Sequence, residues 1–519
     1  MSHRVQRSAW VAGLLVLTLM LIGCERPLAP QALVVVQTSF TNTLPPRDLL
    51  DLRYPPGTRL VLMETTNAPP RFLSREFVAV GEPIVRPDGS AVLFSGKRSA
   101  DSPWQIFELK LPRGKVQQLT SLPDGASHAA ILGNGDLVFS SPVPKLAGTW
   151  SDARPSALFV QHGIEAPEQI TFGSTPAVQP TVLRDGRILF VSARVTTTNT
   201  ATPRLGLFTV NNDGTEVTPF AVNDDGVPFI DSPRELDDGR IAFLAASNVR
   251  MSDAWLEVVR PARPFLSRTN LSFEEWLAAG GVAPPDLDLD WHNAAAARIA
   301  PRTKPAGHLS AMVPAKRTGT LLCLDSTFSR STVTEKAART RRVRVLAGAN
   351  ARSLGEVAIE PDGSFQVEVP ADTPIGFEAL DAAGRVTVRL APTFWVRPGE
   401  NRSCVGCHEA YNTAPSNYRP IAATKPPVKF PVMRPVSEND HRLSEAHRFP
   451  LAPALSLGER EQLIPSLDLP ERFGAAMRLG AILPLPWGEG WGEGVQRADQ
   501  IGPGYILGRS KKILVQRKP

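Results

Sequence analysis

Pro87-Asp88-Gly89-Ser90-Ala91-Val92-Leu93-Phe94 reads as a tight turn running into an apolar strand, and the phrase returns three times: Gly133-Asn134-Gly135-Asp136-Leu137-Val138-Phe139, Arg184-Asp185-Gly186-Arg187-Ile188-Leu189-Phe190 and Asp237-Asp238-Gly239-Arg240-Ile241-Ala242-Phe243. Asp-Gly and Asn-Gly supply the positive φ of a hairpin turn, and the strand that follows is apolar enough to be buried in a sheet. The glycines lie 46, 51 and 53 residues apart. The first three repeats lead into partner strands: Ile106-Phe107-Glu108-Leu109 running to Gln118-Leu119-Thr120, Ala157-Leu158-Phe159-Val160 to Gln169-Ile170-Thr171, and Gly206-Leu207-Phe208-Thr209-Val210 to Pro219. A period of roughly 40 to 50 residues with several strands in each unit is what a β-propeller blade requires. Four blades are legible and the flanking stretches are expected to add one at each end, about six in all. A β-sandwich with similar turns is the alternative, because turn chemistry alone does not fix closure.

These repeats, with their closing Leu-Thr phrase, resemble the Pro-Asp repeats of TolB-like propellers over roughly residues 58–300. Only the first keeps the full Pro-Asp-Gly.

The N-terminus has basic His3-Arg4 and Arg7, an apolar core from Trp10 to Ile22, and the ending Leu21-Ile22-Gly23-Cys24. That core is shorter than the roughly 20 residues needed to cross a bilayer, so a removable signal over residues 1–23 is expected. The ending resembles a bacterial lipobox, which implies lipidation of Cys24, a membrane attachment through that lipid, and a place on the periplasmic side of the envelope. Glu25 following the cysteine favours the outer membrane over the inner. The net charge of +6 is spread without a long basic block, which gives nucleic-acid binding no support. The densest basic cluster, Lys336, Arg339, Arg341, Arg342 and Arg344, reads as a solvated strand edge or as a dock for an acidic redox partner.

Residues 24–57 are Pro-rich and aperiodic, a tether with folding expected from Thr58. The propeller is assigned to 58–315, with a capped helix starting near Ser272. Asp286, Asp288 and Asp290 lack the Gly and Glu of a calcium loop. Period-two alternation over Arg342–Leu346, Gly355–Ile359, Ser364–Val369 and Arg385–Leu390 predicts a small antiparallel, β-sandwich-like domain over 316–400. A c-type haem-binding segment is assigned to 401–435. The remaining 436–519 include the low-complexity run Trp487-Gly488-Glu489-Gly490-Trp491-Gly492-Glu493-Gly494, an unpacked tail.

The chemistry is carried by Ser403-Cys404-Val405-Gly406-Cys407-His408-Glu409. Cys-x-x-Cys-His attaches haem c: two thiols three positions apart reach the two vinyl groups of one macrocycle, and the adjacent imidazole meets the iron as proximal ligand. With 4 Cys and 8 His, a random match is expected about 0.0005 times in a chain of this length, so chance does not account for it. A structural zinc site wants a second ligand pair, which is missing, and a thioredoxin-like dithiol wants an α/β setting. Cys323, in the run Leu321-Leu322-Cys323-Leu324, is left as a buried thiol or a ligand. The sixth iron position is open among Met433, His441, His447, His308 and Met312.

The stretch from Asp362-Gly363-Ser364-Phe365 through Val369-Pro370-Ala371-Asp372, Leu380-Asp381-Ala382 and Gly399-Glu400 to Cys404-Val405-Gly406-Cys407-His408 resembles the middle domain of the hydrazine synthase alpha subunit. The resemblance covers about residues 316–430 and implies a TolB-like propeller followed by a β-domain ending in one covalent haem. It also implies a tyrosine shortly after the motif, for which Tyr411 is the candidate, although an offset of one residue would place Asn412 there. No zinc site is carried over. Two functions follow: a haem lipoprotein in electron transfer, docking a redox protein on its propeller, or a haem enzyme acting on a small nitrogen or oxygen species. A propeller scaffold is the third.

Overall fold

The structure, a computed structural model, describes residues 32–38, 53–64, 69–111, 115–143, 156–194, 204–221, 229–247, 254–259, 275–276, 279, 292–327, 339–348, 350–406 and 419–430. The expected signal, Cys24, the acidic run 286–290 and the C-terminal tail lie outside them.

Each repeat turn forms as its residues dictate. Gly89, Gly135, Gly186 and Gly239 have φ of 74°, 97°, 92° and 80°. The residue before each accepts a hydrogen bond two residues on, from the N–H of Ser90, Asp136, Arg187 and Arg240 over 3.0 to 3.1 Å. Such side-chain acceptors close the turn and start the next strand in register.

Among the described residues five antiparallel, blade-like sheets result. The second blade is Ala79–Val85, Ala91–Lys97, Gln105–Lys110 and Val116–Gln118; the third is Ser127–Ile131, Leu137–Pro142, Ser156–Gln161 and Glu168–Gln169. The fourth is Ala177–Val182, Ile188–Arg194, Arg204–Val210 and Thr218–Ala221, and the fifth Phe229–Glu235, Ile241–Ala246 and Trp255–Val259. In each the first strand is innermost, and successive inner strands pack on one another. The Leu-Thr phrases have a mechanical role: the hydroxyls of Thr120 and Thr171 each accept the N–H that opens the neighbouring strand, of Ile106 and Leu158, over 2.8 Å.

The first blade differs from expectation. Its strands Leu33–Thr38, Arg59–Met63 and Arg71–Phe72 come from the N-terminal flank, and its innermost strand, His292–Arg298, comes from the C-terminal one. The two flanks therefore share one blade, with Val34 opposite Ala297 and Val35 opposite Ala296. The expected tether is corrected in the same stroke, since Leu33–Thr38 is a buried strand of this blade. An aperiodic run of Leu and Val shows no alternation because both its faces are covered. The expected helix survives as Glu275 and Trp276, the latter fully buried against the fifth blade.

Residues 299–316 then cross the turn face of the propeller in an extended path. The N–H of Arg302 donates to Pro87 O over 2.6 Å and that of Ala306 to Arg184 O over 2.9 Å, while Asp213 accepts from Ser310 and Ala311 at 2.9 Å. The repeat turns are thus the bed of the linker, and a Cβ on Gly186 would stand 2.8 Å from Ala306 O.

Beyond it lies a sandwich of two four-stranded sheets. One orders Arg352–Ala358, Arg342–Ala347, Ile375–Leu380 and Val386–Phe394; the other orders Asn401–Cys404, Thr318–Cys323, Phe365–Pro370 and Val428–Lys429. Leu321, Val367 and Val369 of one meet Val343, Val345 and Ile375 of the other in a common core. Both outer strands of the second sheet pair parallel, so the expected purely antiparallel domain is corrected. Of the basic cluster, Arg342 and Arg344 pair with Glu356, and Arg344 also with Glu378, across the outer face.

Candidate functional site

Cys404 ends the edge strand Asn401–Cys404 and stands directly opposite Cys323 in the parallel ladder, its carbonyl accepting the N–H of Leu324 over 2.9 Å. Cys323 is buried in the sandwich core, as its apolar run implies. Burial pushes the Cys404 thiol up, against the favourable charge of Arg402 nearby. Cys407, His408 and Tyr411 lie outside the described residues, as do Met433, His441 and His447. The chain is described again from 419: the N–H of Ile421 and of Ala422 donate to Asp362 and to Ser364 over 2.7 and 3.0 Å, and Val428–Lys429 pairs with the far side of the same sheet. The assigned haem segment is therefore woven into the sandwich at both ends. Asn401–Cys404 pairs at one edge of that sheet and Val428–Lys429 at the other.

The approach to Cys404 is fastened to the propeller. Trp395 Nε1 donates to Gly214 O over 2.9 Å. Arg397, 2% exposed, pairs with Asp372 at 2.9 Å and with Glu168, donates to Gln169 O at 3.2 Å, and lies 5.0 Å from the centre of the Phe172 ring. Burial raises the Asp372 carboxyl above its ordinary value, against the pull of Arg397. Glu400 accepts the N–H of Arg397 over 2.7 Å and that of Glu216 over 2.8 Å; burial still raises its pKa. Arg402 donates to Trp395 O and to Val217 O. Every one of these propeller partners lies in the third or fourth blade or in a turn of it. Gly399, with φ 75°, turns the chain so that Glu400 points back at the Arg397 amide.

Two of the ligand candidates lie on the linker, Met312 with its sulfur engaged and His308 with a buried Nδ1 that has no hydrogen-bond partner among the described residues. Met312 Sδ accepts from Arg397 Nε over 3.1 Å, and the carbonyl of His308 accepts from Asn212 at 3.3 Å. Among the described residues no three His, Cys, Asp or Glu side chains converge as metal ligands. Of the motif's two thiols only that of Cys404 is described; it is half-buried at the end of an edge strand, and that partial exposure leaves it reachable for covalent attachment.

A second constellation, missed in the sequence, lines the centre of the propeller. Glu82, His128, Gln179 and Ser232 occupy one position on four inner strands, each with φ between 51° and 56°, at the ladder irregularity of its strand. Glu82 accepts the N–H of His128 at 2.8 Å and pairs with its Nε2 at 2.6 Å; Gln179 accepts the N–H of Ser232 at 2.9 Å. The side chain of one blade thus latches the backbone of the next. The signal was present: each residue stands seven places before a repeat glycine, and three of the four precede proline.

The fold and this junction define a β-propeller joined to a β-sandwich whose edge strand ends in the cysteine motif. Residues 311–409 match the family model of the hydrazine synthase alpha subunit middle domain. A hydrazine synthase structure from Kuenenia stuttgartiensis superposes with a TM-score of 0.61 at 17% identity, covering 76% of this chain and 72% of that chain. At that identity the likeness is one of fold. TolB from Acinetobacter baumannii reaches a TM-score of 0.33 at 14% identity over 49% of this chain and 55% of that one. Among curated proteins none matches.

Proposed function

We propose that the chain is an exported, lipid-anchored protein that carries one haem c on Cys404 and Cys407, with His408 as proximal ligand, and works in electron transfer with a protein redox partner. The Cys-x-x-Cys-His run supports attachment, and the signal-like N-terminus ending in Cys24 supports export and anchoring to the envelope, where haem attachment takes place. The observation that carries the reading is the seat of the motif. Four contacts, made by Trp395, Arg397, Glu400 and Arg402, bind its approach to two propeller blades. A rigid seat keeps the cofactor's distance to a docked partner constant, which electron transfer rewards.

Bound haem supplies a one-electron couple at its iron and, where the sixth position is open, a place for a small molecule. Beside it the chain supplies the half-buried Cys404, a carboxyl at Glu400 that burial raises above its ordinary pKa, and a basic neighbour in Arg402. Tyr411 remains the candidate for a further ligand.

A second reading, a haem enzyme acting on a small nitrogen or oxygen species, is favoured by the family of residues 311–409. The optical and electron paramagnetic spectra of the full chain, made with a haem-attachment system, separate the two. A low-spin haem indifferent to carbon monoxide supports electron transfer; a high-spin haem that binds it supports the enzyme and overturns the first reading.

A further inference from the structure

One sheet of the sandwich brings two cysteines side by side. Thr318–Cys323 and Asn401–Cys404 run parallel, and their ladder ends with Cys323 opposite Cys404. The N–H of Leu324 donates to the carbonyl of Cys404 over 2.9 Å, which fixes the register at that last rung. Residues opposite each other in a parallel ladder point their side chains to the same face of the sheet, here the face that carries Leu321 and Cys323 into the sandwich core. Neighbouring strands lie about 4.8 Å apart. A disulfide joins Cα atoms roughly 4.4 to 6.8 Å apart, so the backbone already has the spacing that the bond needs. Bringing the two Cβ atoms to about 3.8 Å draws the strand ends together by roughly 1 Å. Cys404 is the last residue of a four-residue edge strand, so that small movement meets little resistance.

The two thiols differ in access: Cys323 is buried, whereas Cys404 is half-buried. An exchange reaction therefore starts at Cys404. Its thiolate attacks one sulfur of a small disulfide, a mixed disulfide forms, and one thiolate leaves. The Cys323 thiolate then attacks the Cys404 sulfur and expels the second. Two electrons pass to the small disulfide, and the two protons given up by the cysteines end on the two thiols released. A bond that draws its strands together is more easily reduced than a relaxed one, so the same exchange run backwards reopens it.

We propose that Cys323 and Cys404 form a reversible disulfide in the haem-free chain, with a small-molecule disulfide as oxidant, and that this bond and haem exclude each other at Cys404. The bond stands on the strand register; its effect on haem rests on the reading of Cys404 as an attachment site. A thioether forms when a thiol S–H adds across a vinyl group of the macrocycle, and a Cys404 sulfur bonded to Cys323 has no S–H to give.

The test uses the full chain made without a haem-attachment system. It is reduced, equilibrated with glutathione disulfide under mildly alkaline conditions because burial holds the Cys404 thiol above its ordinary value, then alkylated in denaturant, digested and mapped by mass. The expected result is loss of alkylation at Cys323 and Cys404 together, with their peptides linked, and return of both thiols on reduction. Alkylated Cys323 in a chain whose Cys404 is oxidised, or Cys404 linked mainly to Cys407, overturns the proposal. In Cys323→Ala, Cys404 should carry glutathione or pair with Cys407; the map of the unaltered chain decides the matter even if this variant does not fold. The haem-loaded chain, treated alike, should keep Cys323 open to alkylation, and a Cys323–Cys404 link in a chain that carries haem overturns the exclusion. A chain that takes up no haem under any condition removes the haem reading and leaves the mapped disulfide standing.

Discussion

The backbone N–H of Glu216, in a turn of the fourth blade, donates to the side-chain carboxylate of Glu400 over 2.8 Å, four residues ahead of Cys404. Through this contact a propeller hairpin and the start of the cysteine motif share one hydrogen-bond network. Its other members are Arg397, Trp395 and Arg402.

Arg397→Gln removes a buried cation whose partners Asp372 and Glu168 are 35% and 51% exposed in their side chains. Solvent can take over those carboxylates, so the loss is about 2 kcal/mol, less than for a fully buried pair. Hydrogen exchange should speed up over 395–404 and stay unchanged in the inner strands of the second blade.

Trp395→Phe keeps the ring among Phe172 and its neighbours but leaves Gly214 O without its donor. A loss of about 1 to 2 kcal/mol in denaturant unfolding is expected.

Gly186→Ala and Gly135→Ala separate two reasons for a repeat glycine. Both have strongly positive φ, yet only at Gly186 does an added Cβ meet a neighbour, Ala306 O at 2.8 Å, whereas Gly135 faces open space. Both variants should be destabilised, Gly186→Ala by about 1 kcal/mol more. Equal losses would mean that the linker does not lie on the turns.

Glu82 sets a pH dependence. Burial pushes its carboxyl up, but His128 and the hydrogen bonds to it and Ser95 outweigh that and hold the folded value below the ordinary 4.5. A depressed folded pKa adds stability above the unfolded value and loses it as pH falls through the folded one. The stability gap between the unaltered chain and Glu82→Gln, about 2 kcal/mol near neutrality, should therefore shrink as the pH is taken below 4.5. Urea unfolding at pH 7 and pH 4 measures it.

The turns were legible because Asp-Gly fixes both a dihedral and a side-chain acceptor within three residues. The sandwich was legible because one buried face imposes alternation, as in Phe365–Pro370. The sharing of the first blade was not, because pairing Val35 with Ala296 is a contact across the length of the propeller and neither strand alternates. The same holds for the site. Cys404, Cys407 and His408 are adjacent in sequence and announce themselves, whereas Glu82 and His128 meet only because successive inner strands pack on one another.

The central claim is that this chain carries one covalent haem on its single Cys-x-x-Cys-His. Intact mass under denaturing conditions, read on the chain made with a haem-attachment system, tests it most directly. The account predicts a mass increase of one haem that survives unfolding and is lost when Cys404 and Cys407 are both replaced by Ala. A chain of unmodified mass, with its thiols free or paired to each other, would contradict it.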